Sequence, residues 1–390
     1  MKVLFFTNEY SHPNLPASGG VGSFLKILAH ELSKKGHTVY VYGFSKKKYS
    51  LKDGDISIEF FKKYSKSFPI SEAIRSVSSK INIESGELHF LEKERKYLVH
   101  KLKKYALSHN IDIIESFAFN GFTAFWDNTI PLVVRFHGSR GFWHHYLNQE
   151  QDRFKILMEQ KALETTPYTI AVSKFSAEAV KSIYNIDMDT IIHNGIDHNL
   201  FSPNPEVEEI PQSIFYFGTL SNAKGVDILC EIFNSLVETF PKATLHVIGQ
   251  GESYWQNTCK SILTDKAIQA STYYGAKNNT ELPEIIQQAS LCIFPSKNES
   301  FGLVFAEAMA LQKAIIVSNI NAAKEIIDHK KNGYLANTIQ DYIKFASTLL
   351  ESSELRLEIG KEARKKVVEN FTKETMTHET VSYYKKILNN

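Results

Sequence analysis

Two series of short apolar runs, each run followed by a helix-length segment, flank one aperiodic Pro-rich acidic stretch, SPNPEVEEIPQ, at 202–212. In the first series KVLFF, HTVYVYGF, DIIES, PLVVRFHG and YTIAVS read as strands. KVLFF leads through the Gly-rich loop SGGVG into SFLKILAHELSKKG, whose apolar residues recur at helical spacing. The second series restarts with SIFYFGTL, ATLHVIGQGE, STYYGA, LCIFPS and AIIVSN, with segments such as GVDILCEIFNSLVETF between them. Strands separated by helices pair in parallel and are covered on both faces. The pattern therefore predicts an α/β chain of two doubly wound Rossmann-like domains facing a cleft. A length of 390 residues also exceeds what one hydrophobic core normally fills. The expected division is 1–202 for the first domain and 203–370 for the second, with a last helix over 371–390 packing back on the first. In doubly wound sheets ligands bind outside the carboxyl ends of the strands. The loops carrying Gly20, Thr219, Gly249, Gly275 and Glu299 all fall at such ends.

Charge and cysteine content exclude several functions. A net charge of +2 argues against a dedicated nucleic-acid binder, and three scattered cysteines give neither a disulfide framework nor metal-ligand spacing. No segment has the run of apolar residues that a membrane span needs, and MKVLFFTNEY turns polar too early for a signal peptide. The expected location is cytoplasmic, with peripheral contact at the inner face of the membrane as an option. That option rests on Lys46 to Lys104, where basic residues outnumber acidic ones in KKK, FKKYSK and EKERKYLVHKLKKY. Such runs serve either as a solvated helix face or as a surface for an anionic partner such as a lipid membrane.

The most informative stretch is PSKNESFGLVFAEAMA, 295–310. From Gly302 to Leu311 every residue except Glu307 is apolar or glycine, so the helix here should be covered on most sides. A buried carboxylate is costly unless something pairs with it. The loop SKNES places the helix start near Phe301 or Gly302, at a strand's carboxyl end, where free N–H groups favour a phosphate. Glu307 then stands roughly 8 Å further along the axis, at 1.5 Å per residue, where it can accept both cis hydroxyls of a ribose. Glu299, nearer the phosphate end, is placed for hydroxyls of whatever a diphosphate carries. The competing reading makes Glu299 a solvated loop residue and pairs Glu307 with a structural cation.

These residues resemble the Glu-x7-Glu motif of retaining glycosyltransferases of the GT-B fold, the group-one family, and further blocks follow in order. PASGGVGSFLKILAHELSKKGHTVYV is similar to the family's N-terminal Gly-rich loop, RFHG to its cleft histidine segment, and IIHNGID to the signature ahead of its interdomain linker. YFGTLSNAKGVDIL, HVIGQGE and KEIIDHKKNGYL resemble blocks of its second domain. The resemblance implies transfer of a hexose-type sugar from a UDP- or GDP-linked donor to a glycan or lipid-linked acceptor, with retention of configuration and no other cofactor. It implies that Glu307 holds the ribose, Glu299 the donor sugar, and Lys224 the leaving phosphates. Phe301, Gly302, Leu303 and Val304 would offer backbone N–H groups. Gly20 would let its loop approach the diphosphate, Thr219 and Gly275 would border the nucleotide, and His137 would face the sugar.

Two departures stand out. The family usually carries an arginine where this chain has Thr219, which removes a bidentate phosphate donor and leaves Arg140 or Lys297 as candidate substitutes. Gln312 stands where a glycine is common. Trp143, His144 and Arg140 are the acceptor-side candidates: GFWHHYLNQ reads either as an aromatic wall that stacks on a sugar ring of the acceptor or as packing of a connecting helix. No metal site is expected: DGD at Asp53–Asp55 reads as a turn before a strand, and DMD at Asp187–Asp189 as a loop. Two other readings stay open, a donor-binding module of weak activity, motivated by Thr219, and a nucleotide-sugar epimerase of the same fold.

Overall fold

The structure is a computed structural model that describes residues 1–67 and 84–389. It comprises two compact units, Met1–Gly195 with Lys373–Asn390, and Ile196–Thr372. Part of the basic segment singled out in the sequence, residues 68–83, lies outside the described residues.

The first unit holds an eight-stranded sheet in the order β3-β4-β2-β1-β5-β6-β7-β8. Its strands are β1 (Lys2–Thr7), β2 (Thr38–Ser45), β3 (Tyr49–Asp53), β4 (Ile56–Lys62), β5 (Ile113–Phe117), β6 (Leu132–Phe136), β7 (Thr169–Ala171) and β8 (Thr190–Ile191). All neighbours pair in parallel except β3 and β4, an antiparallel edge hairpin whose turn is the DGD motif, with Gly54 at φ 61°. The parallel expectation is corrected there: a two-residue turn can only join antiparallel strands.

Strands β5 and β6 are buried along their whole length, yet each carries a charge. Arg135 Nε donates to Glu115 Oε1 at 2.8 Å, with both side chains fully buried. The helix Lys373–Leu388 completes this network, Tyr384 Oη donating to Glu115 Oε2 at 2.6 Å and Arg135 Nη2 to Thr380 Oγ1 at 3.1 Å. Met376, Tyr384 and Ile387 of the same helix join the core around Phe24 and Leu28. Removing one member of such a pair typically costs about 3–5 kcal/mol, so this network ties the chain's last helix to the first unit.

The division falls at Gly195/Ile196 and Thr372/Lys373, where the sequence placed it at 202/203 and 370/371. Ile196 bridges Thr372 and donates its N–H to Phe371 O at 3.0 Å, and Arg364 Nη1 donates to Phe201 O at 3.0 Å. The residues before the Pro-rich stretch are thus already built into the second unit, and composition carries no mark of that.

The second unit holds six parallel strands in the order β11-β10-β9-β12-β13-β14. They are β9 (Ser213–Phe217), β10 (Thr244–Ile248), β11 (Ser271–Tyr273), β12 (Leu291–Phe294), β13 (Ala314–Ser318) and β14 (Tyr334–Ala336). Chain order reverses between β9 and β12, which opens a crevice at their carboxyl ends. The loops there are tied together: Gly249 N donates to Gly275 O at 2.8 Å and Leu220 N to Gln250 O at 2.7 Å. A Cβ on Gly249 would lie 1.8 Å from Gly218 O, so only glycine permits this approach.

Candidate functional site

In the second unit the helix after β12 spans Leu303–Ala310. Gly302 enters it at φ 101°, and a Cβ there would meet the buried Phe305 ring at 2.4 Å. Glycine is therefore required where the loop turns into the helix. No side chain caps this helix, so its first amides stay available to a ligand. Phe305, Ala306, Ala308, Met309 and Ala310 are buried, whereas Leu303, Val304 and Glu307 are half-buried. Positions i, i+1 and i+4 share one side, so the open side of the helix runs from its first residues to Glu307. Burial pushes the Glu307 carboxyl up to about 7. Among the described residues it has no hydrogen-bond or ion-pair partner, and the structural cation weighed from the sequence is not found there.

Lys224 ends a short 3₁₀ turn, Asn222–Lys224, that Gly225 closes in the left-handed region at φ 65°. A Cβ on Gly225 would sit 1.9 Å from Pro295 O, and Lys297 N donates to Ala223 O at 3.0 Å. The loops after β9 and β12 are thereby pressed together. The outcome is an ion pair that neither loop announces: Lys224 Nζ lies 2.6 Å from Glu299 Oε1, and Ser296 Oγ donates to the same oxygen at 3.0 Å. Phe301 is buried against Phe371. Gly275 holds φ 68° with open space around it. Thr219 is exposed, and its carbonyl accepts the Tyr216 hydroxyl at 3.0 Å. Lys297, one candidate substitute for the missing arginine, is paired with Asp227 at 3.4 Å. Gln312 adopts φ 57°, the left-handed conformation that favours glycine. Thr219, Lys224, Gly275, Glu299, Gly302 and Glu307 thus all border the carboxyl ends of one sheet.

The remaining candidates belong to the first unit. Gly20 is the first residue of the helix Gly20–Lys34, and Gly19 N donates to Glu9 Oε2 at 2.7 Å. His137 follows β6, packed edge-on against Phe24 and Phe117 at 4.3 and 5.4 Å between ring centres. Its Nε2 is buried without a hydrogen-bond partner, and burial together with Arg135 holds the ring well below the usual histidine range, so it is neutral. Arg140 opens the helix Arg140–Leu147, lies over the Phe119 ring at 5.2 Å and donates to Asn120 Oδ1 at 2.7 Å and Gln151 Oε1 at 2.9 Å. Trp143 is exposed and lies 5.3 Å from Phe119, so the three side chains form one aromatic and cationic surface. His144 is exposed and bonds Gln149 O at 3.1 Å through Nδ1.

Sequence reasoning missed Glu159. Fully buried, it accepts N–H bonds from Asn120 (2.9 Å), Arg140 (3.0 Å) and Gly141 (3.2 Å) and the Tyr184 hydroxyl (2.9 Å). It fixes Arg140 from behind, and in the sequence it looks like one more polar residue of an ordinary helix. Ser296 was missed too, although its place three residues before Glu299 fits a local turn contact.

Residues 200–366 match the family described as Glycosyl transferases group 1, and residues 18–200 match Glycosyltransferase Family 4. The chain is similar to an uncharacterized glycosyltransferase of Methanocaldococcus jannaschii, 26% identical over 99% of this chain and 98% of the relative. Among solved structures it resembles a sucrose-phosphate synthase from Thermosynechococcus elongatus, with TM-score 0.80, 15% identity and full coverage of both chains. It also resembles the Anabaena protein HepE in complex with UDP-glucose, with TM-score 0.73, 19% identity and coverage of 98% and 99%. Two doubly wound parallel sheets and the likeness to these structures give the chain the GT-B fold, and two adjoining glycosyltransferase family matches that together span residues 18–366 make it a glycosyltransferase, with the group 1 match over residues 200–366.

Proposed function

We propose that the chain moves a hexose-type sugar from a UDP- or GDP-linked donor to a glycan or lipid-linked acceptor with retention of anomeric configuration. The observation that carries this reading is Glu307: a half-buried carboxyl, without a partner among the described residues, four residues beyond a helix start that no side chain caps. A diphosphate on the helix amides and a ribose on Glu307 use both features together. HepE, of like fold, has been solved with UDP-glucose.

On this reading Lys224 turns from Glu299 toward the leaving phosphates, and the freed Glu299 takes hydroxyls of the transferred sugar. The chemical step then rests on positioning and on positive charge where the leaving group becomes negative. Leu303 and Val304 offer amides to that group, and Thr219 and Gly275 border it. In the first unit, neutral His137 acts as a hydrogen-bonding group, and the Arg140, Phe119 and Trp143 surface takes the acceptor. The reading includes independence from divalent metal, with Lys224 and the uncapped start of the helix Leu303–Ala310 supplying the positive charge at the phosphates instead.

A panel of nucleotide sugars, incubated in EDTA with and without saccharide and lipid-linked acceptors, tests the reading. Acceptor-dependent release of nucleoside diphosphate supports it. Isomerised donor instead marks an epimerase, and binding without turnover marks the donor-binding module that Thr219 motivates.

A further inference from the structure

A second cleft of about 370 Å³ opens in the second unit at the carboxyl ends of β12, β13 and β14. It shares the 295–297 loop with the site described above, but Lys224, Glu299 and Glu307 do not line it. Its polar rim comes from three successive strand-end loops: Ser296 and Lys297, Ser318 and Asn319, and Asn337 and Thr338.

The rim has no free charge with which to select an ion. Lys297 is paired with Asp227 at 3.4 Å. The helix Ile339–Glu351, which begins at this rim, is already capped: Thr338 accepts from Asp341 N, and the Asp341 carboxylate accepts from Asn337 N at 2.9 Å and Thr338 N at 3.1 Å. What remains are neutral groups. Ser318 Oγ and Tyr342 Oη share a hydrogen bond at 2.8 Å, and Asn319 Nδ2 donates to Asn337 Oδ1 at 2.8 Å. Each hydroxyl and amide oxygen keeps a lone pair for a further donor. Ile228, Ile320 and Ile339 supply aliphatic surface between them.

Neutral donors and acceptors beside an aliphatic patch complement a ring that carries hydroxyls at its edge and C–H groups on its face. The volume is at the small end of ligand sites, which run from about 300 to 1,000 Å³, and so suits one ring and not a nucleotide sugar. We propose that this cleft binds one neutral cyclic polyol the size of a monosaccharide, separately from the Lys224 and Glu299 site. The proposal does not depend on the transferase reading, since a chain that transfers nothing would still bind here.

Saturation-transfer NMR on the full chain, with D-glucose as probe and inorganic phosphate as competitor, tests it. The expected result is saturable transfer in the native protein and in Glu299→Gln, with no displacement by phosphate. Asn337→Trp, at an exposed rim position, should abolish the transfer, and Asn319→Ala should weaken it by up to about tenfold, the worth of one hydrogen bond. If Asn337→Trp lowers the unfolding midpoint, Asn319→Ala carries the decision. No saturable transfer in the native protein, transfer lost in Glu299→Gln, unchanged transfer in the rim variants, or displacement by phosphate would each overturn the proposal.

Discussion

Lys224 Nζ and Glu299 Oε1 lie 2.6 Å apart although 75 residues separate them in the chain. The cation proposed for the phosphates and the carboxylate proposed for the sugar thus neutralise each other. On the proposed reading a diphosphate draws Lys224 away and so releases Glu299 for the sugar, and the pair would couple the two halves of a donor.

For a partly exposed pair the interaction itself should be modest, about 1 kcal/mol or less. A double-mutant cycle in urea unfolding with Lys224→Ala and Glu299→Gln is expected to show a coupling of that size. Lys224→Ala should lower turnover by far more than so small a stability change explains. Turnover within a few-fold of native would show that Lys224 does not serve the leaving group.

Glu307 gives a pH dependence. Its folded-state value, about 7, is raised above the ordinary 4.5, so folding favours the protonated form. Its contribution is greatest at low pH, declines as pH rises from about 4.5 to about 7, and levels off above. Glu307→Gln should flatten that decline in thermal unfolding scans. The ionised carboxylate is the better ribose acceptor, so nucleoside diphosphate affinity should rise more steeply through pH 7 in the native protein than in Glu307→Gln, where only the ligand's own terminal phosphate titrates. Parallel profiles in the two proteins would remove Glu307 from the nucleotide.

Thr219 is exposed beside the loops that carry Lys224 and Gly275. Lys297 is paired with Asp227 at 3.4 Å and would have to leave that partner to stand in for the missing arginine. Thr219→Arg should therefore raise the single-turnover rate, by an amount worth up to a few kcal/mol of transition-state stabilisation, while Lys297→Ala changes it little. A neutral Thr219→Arg together with a dead Lys297→Ala would reverse that assignment.

Within the basic segment, the helix Glu84–Ser108 exposes Lys93, Lys96, His100 and Lys104 at helical spacing along one side. We propose that this side meets an anionic membrane carrying a lipid-linked acceptor. Flotation with anionic vesicles at low salt should recover more protein than with neutral ones, and 0.5 M salt should cancel the difference. Equal recovery would leave a solvated helix face.

Much of the fold was legible because strand and helix periods alternate in both halves, and the Glu307 helix because one acid interrupts an apolar run. The rest lay in contacts between distant segments. DIIES and LVVRF read as ordinary strands, and only the sheet brings Glu115 to Arg135 and the last helix to both. Glu159 gathers donors from three separate segments, and the Lys224 and Glu299 pair exists because Gly225 lets one loop close on another. The edge hairpin at β3 escaped because a short polar strand carries no sign of its direction.

Of the two carboxylates, Glu307 is proposed to hold the nucleotide and Glu299 the sugar. Calorimetric binding of the nucleoside diphosphate, paired with single-turnover transfer from the preferred donor, tests it in Glu307→Ala and Glu299→Gln. Glu307→Ala should weaken nucleoside diphosphate binding roughly ten- to hundredfold, the worth of charge-assisted hydrogen bonds. Glu299→Gln should keep that affinity, or tighten it as Lys224 is released, and lose transfer. Equal loss of nucleoside diphosphate affinity in both variants, or full transfer by Glu299→Gln, would contradict the account.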